Sequence, residues 1–249
     1  MTLNRPESLN AVNDELRIEL TEVLKELEAN SNTKVVVVTG AGKAFSAGAD
    51  LKQLKSLYED FRQSGMTAQY GGPELAQAFF SFSKPIIAAV NGVAVGWGMT
   101  MPLACDIRIA SQKAKFSAAF VRVGVTPEFG SSYLLPRLIG YGLAAELVFT
   151  GKIINADEAL RMGLVNKVVQ PDELLTEAWS LARIIAEQPT EALKHAKALL
   201  LGGMDAGLTQ WVDHEAVIFK ERMESEEHYQ AVLGLLAEIQ AKEMSKRSL

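Results

Sequence analysis

A single cysteine, Cys105, stands among 249 residues, which excludes an internal disulfide and any zinc site built from several thiolates. That scarcity suits a reducing compartment. Histidine is almost as rare: His195, His214 and His228 are the whole supply, so imidazole chemistry has few candidates. Basic residues are outnumbered, with 25 Lys+Arg against 30 Asp+Glu and a formal net charge of −5. A chain of that balance lacks the clustered cations that release counterions from nucleic acid, so no nucleic-acid partner is expected. The start, MTLNRPESLN, has no basic-then-apolar leader. The expectation is a soluble, cytoplasmic protein without membrane insertion. One uncharged run, Pro85 to Cys105, is long enough to cross a bilayer. Asn91, Gly92, Gly96, Gly98, Thr100 and Pro102 break it, and Asp106 follows, so it reads as a buried strand, a turn and a helix.

What the chain does contain is ordinary for a globular protein, with 48% hydrophobic and 22% charged residues. Asn13 can cap a helix with an acidic first turn (Asp14, Glu15), and Leu16, Leu20, Val23, Leu24 and Leu27 form its apolar stripe. Val35 to Val38 and Ile86 to Val90 are continuous apolar runs of the kind that form strands covered on both faces. Asp106 to Ala110 and Val165 to Val169 supply two further strands. Helices lie between them, one at Ala156–Met162 behind an Asn155 cap with Glu158 three residues on. This alternation predicts an α/β fold. After Pro171 only helical periods remain, with apolar faces from Trp211, Val217, Ile218, Val232, Leu235 and Leu236. The polar stretch Leu51–Ala78 reads as irregular and mobile.

Several familiar motifs fail on inspection. Thr39-Gly40-Ala41-Gly42-Lys43 follows a strand, but Phe45 occupies the third glycine of a dinucleotide loop and no phosphate-loop motif can be drawn. His214-Glu215 begins a zinc-protease motif, but Ile218 stands where its second histidine should be, so no metal site is expected. Ala44-Phe45-Ser46-Ala47-Gly48 approaches a nucleophile elbow, which keeps a serine hydrolase open if a histidine returns to Ser46. Glu128 lies in the apolar, glycine-bearing loop Thr126 to Ser132. Desolvation there would raise its pKa towards that of a general base. A helix starting near Ser131 would equally explain an acid at that place through the helix dipole, and the residues alone leave both readings standing.

In chain order, Thr2 to Pro6 with Leu9-Asn10-Ala11, Phe45 to Leu51, Asn91 to Gly96, Cys105 to Ala110, Thr150-Gly151-Lys152 and Ala159 to Val165 resemble the crotonase, or enoyl-CoA hydratase/isomerase, superfamily. The resemblance implies a spiral of ββα repeats over residues 1–190 that binds acyl-CoA. It also implies a helical region, 191–249, that builds a homotrimer or hexamer. Two backbone N–H groups, at Ala47 and Trp97 by motif position, would hold the thioester oxygen. Ser46, Gly48, Ala49, Asp50, Leu51, Gly96 and Gly98 would complete the substrate-binding turns. No cofactor is implied beyond the coenzyme A that the substrate carries. Hydratases of the family use two glutamates, at positions held here by Thr100 and Phe120. Glu128 instead resembles the single glutamate of peroxisomal-type Δ3,Δ2-enoyl-CoA isomerases, which share the Pro-Glu-x-x-Ser-Ser pattern. The implied activity is therefore a one-base shift of a 3-enoyl-CoA double bond. The alternatives are a hydratase or other crotonase-type acyl-CoA lyase or hydrolase with displaced acids, and a non-catalytic acyl-CoA binder.

Overall fold

The computed structural model describes residues 1–65 and 73–247. In chain order the elements are β1 (Thr2–Leu3), α1 (Asp14–Ala29), β2 (Val36–Gly40), β3 (Ala44–Ser46), α2 (Leu51–Ser64), α3 (Glu74–Ser81), β4 (Ile86–Val90), β5 (Val93–Val95), α4 (Trp97–Leu103), β6 (Ile107–Ser111) and β7 (Lys115–Ser117). They continue as α5 (Ser131–Ile139), α6 (Tyr141–Thr150), β8 (Ile154–Asn155), α7 (Ala156–Met162), β9 (Lys167–Val169), α8 (Leu174–Ala186), α9 (Thr190–Gly202), α10 (Leu208–Met223) and α11 (Glu226–Arg247). The chain divides into two compact units, Met1–Arg183 and Ile184–Leu249. That division falls inside α8, ahead of the boundary read at 190/191.

Two sheets organise the first unit. One runs β1-β2-β4-β6-β9 and is parallel throughout. The other runs β3-β5-β7-β8, parallel except for its last pair. The pairs β2/β3, β4/β5 and β6/β7 each place their first strand in one sheet and their second in the other. Helices follow each pair, so the chain advances as ββα turns of a spiral, the α/β crotonase architecture. Val36, Val37 and Val38 of β2 and all of β4 are buried, as uninterrupted apolar runs require. Leu16, Leu20 and Leu24 of α1 pack into the same core. The Asn13 side chain accepts from the Leu16 N–H at the start of α1, and Asn155 with Glu158 forms a complete capping box on α7. At the far end of α1, buried Lys84 donates to the carbonyls of Leu27, Glu28 and Asn30, which have no partner inside the helix.

The stretch read as irregular is mostly helix. Asp50 caps α2 by accepting from Lys52 and Gln53, and Gly65 ends it in the left-handed region at φ 68°. Leu51, Leu54, Tyr58 and Phe61 make a stripe, but α2 buries no residue, so its apolar signal was diluted by the polar residues around it. Residues 66–72 of that stretch lie outside the described residues, as do Ser248 and Leu249. In the second unit the ring of Trp211 lies on Gly202, where an added Cβ would stand 2.4 Å from its Cη2. Arg222 pairs with Glu227 at 3.4 Å. Among the described residues no helix is long and apolar enough to cross a membrane, and no three His, Cys, Asp or Glu cluster as metal ligands would.

Candidate active site

The ends of β3 and β5 are pressed together because glycine occupies both turns. A Cβ at Gly98 would meet the Ser46 carbonyl oxygen at 2.1 Å, and one at Gly48 would meet the Val95 oxygen at 2.6 Å. Gly48 (φ 94°) and Gly96 (φ 52°) also use backbone angles that side chains disfavour. This contact brings Ala47, Gly48, Ala49 and Leu51 to the same cavity as Gly96 and Trp97. The cavity is about 430 Å³, apolar over most of its wall, and Glu128 lines it. The loops are braced from behind. Asn10, buried at φ 56°, donates to the carbonyls of Ala41 and Ala44, and Arg5 pairs with Asp50 at 3.3 Å while also reaching the Ala11 carbonyl.

Hydrogen bonding separates the two alanines of the first loop. The Ala47 N–H donates to the Leu9 carbonyl at 2.9 Å, so it is not available to a substrate oxygen. The expectation that Ala47 supplies an oxyanion donor is corrected on that ground. Ala49 faces Val12 in a parallel bridge, with Val12 N–H on Gly48 O and Asp50 N–H on Val12 O. In parallel pairing the flanking groups make those bonds and the central residue's own N–H turns away. The Ala49 N–H accordingly has no protein partner among the described residues. Nor does the Trp97 N–H at the start of α4, because Met99 and Thr100 donate back to Gly96 O while Trp97 has no residue to reach. Ala49 and Trp97 thus each present an open donor on the cavity wall, one from each turn.

Three of the residues expected to touch substrate serve the scaffold instead. Ser46 is fully buried; its hydroxyl donates to Asn10 O at 2.8 Å and accepts from Gly48 N–H. That engaged proton, and the absence of any histidine from the first unit, leave no Ser–His pair within it. Asp50 caps α2, and Gly98 permits the close approach to β3. None of the three lines the cavity.

Glu128 is held by its own backbone and by aromatic packing. Its carbonyl accepts from the Ser131 N–H and hydroxyl at the start of α5. Phe129 follows at φ 55°, a conformation costing a non-glycine residue about 1–3 kcal/mol. Packing offsets that strain: the Phe129 ring meets Phe79 at 5.6 Å and the Trp97 indole edge-on at 5.5 Å. The Trp97 indole therefore packs on the residue next to the acid. The Glu128 side chain is open to the cavity, yet surrounding protein displaces enough water to raise its carboxyl above the usual carboxylate range. A hydrogen bond from Thr100 Oγ1 to Glu128 Oε1, at 2.7 Å, acts in the opposite sense. Thr100 was notable in the sequence only for not being an acid. Its bond to a residue 28 positions away has no local signal, and neither does the Phe79–Phe129–Trp97 cluster. Phe120, at the other vacant acid position, is buried on the cavity wall. Asp14 and Arg17 also line the cavity, on α1, and pair with each other at 3.4 Å.

Comparison with known proteins agrees with this geometry. The chain is 39% identical over 238 residues to the short-chain-enoyl-CoA hydratase of Clostridium acetobutylicum, covering 95% of this chain and 90% of that one. It superposes on the enoyl-CoA hydratase of Bacillus anthracis with a TM-score of 0.85 at 32% identity, covering 95% and 91% of the two chains. A monofunctional enoyl-CoA isomerase from M. smegmatis matches with a TM-score of 0.69 at 36% identity, over 83% and 88%. The family model described as enoyl-CoA hydratase/isomerase matches residues 1–241, and with two sheets, two open N–H donors and an apolar cavity in place, the chain belongs to that family of acyl-CoA enzymes.

Proposed function

We infer that the protein shifts the double bond of a 3-enoyl-CoA thioester to the 2-position. The Ala49 and Trp97 N–H groups receive the thioester oxygen, which gains charge when a proton leaves C2. Glu128 takes that proton; the C2–H electron pair delocalises through the carbonyl as an enolate. The same carboxyl returns the proton at C4, the C3–C4 pair supplies the new C–H bond, and the double bond settles between C2 and C3. No cofactor enters this cycle, because one base ends as it began. One observation carries the reading: among the described residues Glu128 is the acid on the cavity wall with no cation beside it, with Thr100 and Phe120 where a hydratase holds two. Asp14, the other acid on the wall, is engaged by Arg17 and Gln53.

The relatives named hydratase favour a second reading, addition of water to a 2-enoyl-CoA. They do not carry the likeness to peroxisomal-type isomerases, which rests on the Pro127-Glu128 pattern, while the isomerase from M. smegmatis supports the reaction class. Incubating the protein with 3-enoyl-CoA and 2-enoyl-CoA in parallel, with product identification, separates the two. Isomerisation should dominate. Glu128→Gln should lower it by ~100–10,000-fold, the usual worth of a positioned general base, with acyl-CoA binding retained. Hydration by wild type at a rate matching or exceeding isomerisation would favour the second reading. The proposal extends to a cytoplasmic homotrimer or hexamer, supported by Leu200, Leu208 and Phe219, which stand 77%, 80% and 67% exposed on α9 and α10.

A further inference from the structure

Thr100 sits where a hydratase would place an acid, yet it contributes no carboxyl to the cavity. It is fully buried on α4 and does not line the cavity wall. Its hydroxyl has one proton and two acceptors in reach: Glu128 Oε1 at 2.7 Å and the Trp97 carbonyl at 3.2 Å. The shorter bond takes the proton while Glu128 is ionised. Glu128 Oε2 has no protein partner among the described residues, and the side chain is open to the cavity. The two carboxyl oxygens are therefore unequal: one is tied to the protein and the other faces the substrate space.

We propose that Thr100 is a positioning residue for Glu128, anchoring Oε1 so that Oε2 both removes and returns the proton. This rests on the reading of Glu128 as the base. A carboxyl held at one oxygen cannot turn its proton away from the substrate between the two transfers. The Trp97 carbonyl gives the hydroxyl a second acceptor from the same turn that presents the Trp97 N–H, so Thr100 ties the base to the oxyanion side of the cavity.

The charged surroundings do not supply this role. Around the cavity, α1 contributes Asp14 and Arg17, and α3 contributes Glu74, which joins Arg17 at 3.7 Å. Arg137 of α5 lies over the Tyr133 ring, Arg122 packs against Gly151, and α4 and β5 carry no ionisable side chain. After burial, the Thr100 bond is the influence acting on the Glu128 carboxyl.

Thr100→Val keeps the branched shape and removes the hydroxyl. The acidic limb of kcat/KM reports ionisation of the base in the free enzyme. Losing a donor that favours the carboxylate must raise its pKa, so the limb should move up by about one pH unit. On the plateau, kcat for isomerisation should fall about tenfold through lost orientation, with KM for 3-enoyl-CoA unchanged. Thr100→Ser should restore both limb and plateau. Thr100→Cys, close in size and with only a weak S–H donor, should fall between and serves if the valine variant does not fold. Infrared difference titration against Glu128→Gln should show the same upward shift of the carboxyl without reference to turnover. A wild-type limb and plateau in folded Thr100→Val, with Glu128→Gln inactive, would overturn the proposal and leave Glu128 as the base. Wild-type isomerisation by Glu128→Gln would overturn both.

Discussion

Ala47 and Ala49 stand two residues apart in one glycine-containing loop, and composition cannot tell them apart. What separates them is the partner each N–H finds: Leu9 O for Ala47, open cavity for Ala49. Ala49→Pro tests this directly, because proline removes the open N–H and leaves the two bonds to Val12, which use Gly48 O and Asp50 N. Turnover of 3-enoyl-CoA should fall by ~100–1,000-fold, the cost of one oxyanion donor, with an unchanged circular dichroism spectrum. Full activity in the folded variant would move the donor elsewhere. At Glu128 the sequence supplied the acid and its apolar loop, while contact shows where each part of the residue goes. The backbone does meet the start of α5 through Ser131, but the carboxyl turns to Thr100 and the cavity.

At the scale of elements, the site exists because the β3 and β5 ends touch. Gly98 begins that contact one residue into α4, against the backbone oxygen of Ser46, an atom that cannot rotate aside. Gly98→Ala should therefore cost about 1–3 kcal/mol as overpacking, seen as a lower midpoint in urea, and should weaken turnover by displacing the Trp97 N–H from Ala49. A variant with wild-type stability would mean that the turns separate freely. Elements with a strong local signal were legible: α1 from its leucine stripe and Asn13 cap, β2 and β4 from their apolar runs, α7 from its capping box. The hidden element was α2, whose stripe of Leu51, Leu54, Tyr58 and Phe61 covers no core residue. The stripe has helical spacing, but polar side chains outnumber it, so the stretch reads as polar before it reads as periodic.

For the whole molecule, the apolar side chains left exposed on α9 and α10 set the next expectation. Large apolar side chains this exposed mark contact surfaces where they are contiguous. Sedimentation at micromolar concentration should give a mass of three or six times the 27.1 kDa chain, and a stable single chain would contradict the assembly. The sequence by itself determined the α/β class, the order of glycine turns, the helical character after Pro171 and the presence of one acid in an apolar loop, since each is written in residues near one another. Tertiary structure alone decided which N–H groups stay open, that Ser46 and Asp50 brace loops rather than line the cavity, and that Thr100 reaches Glu128. The physical reason is common to all three. A backbone donor or hydroxyl is spent or free according to the acceptor that folding brings to it, here Leu9 for Ala47, Asn10 for Ser46 and Glu128 for Thr100, and those acceptors come from segments distant in the chain.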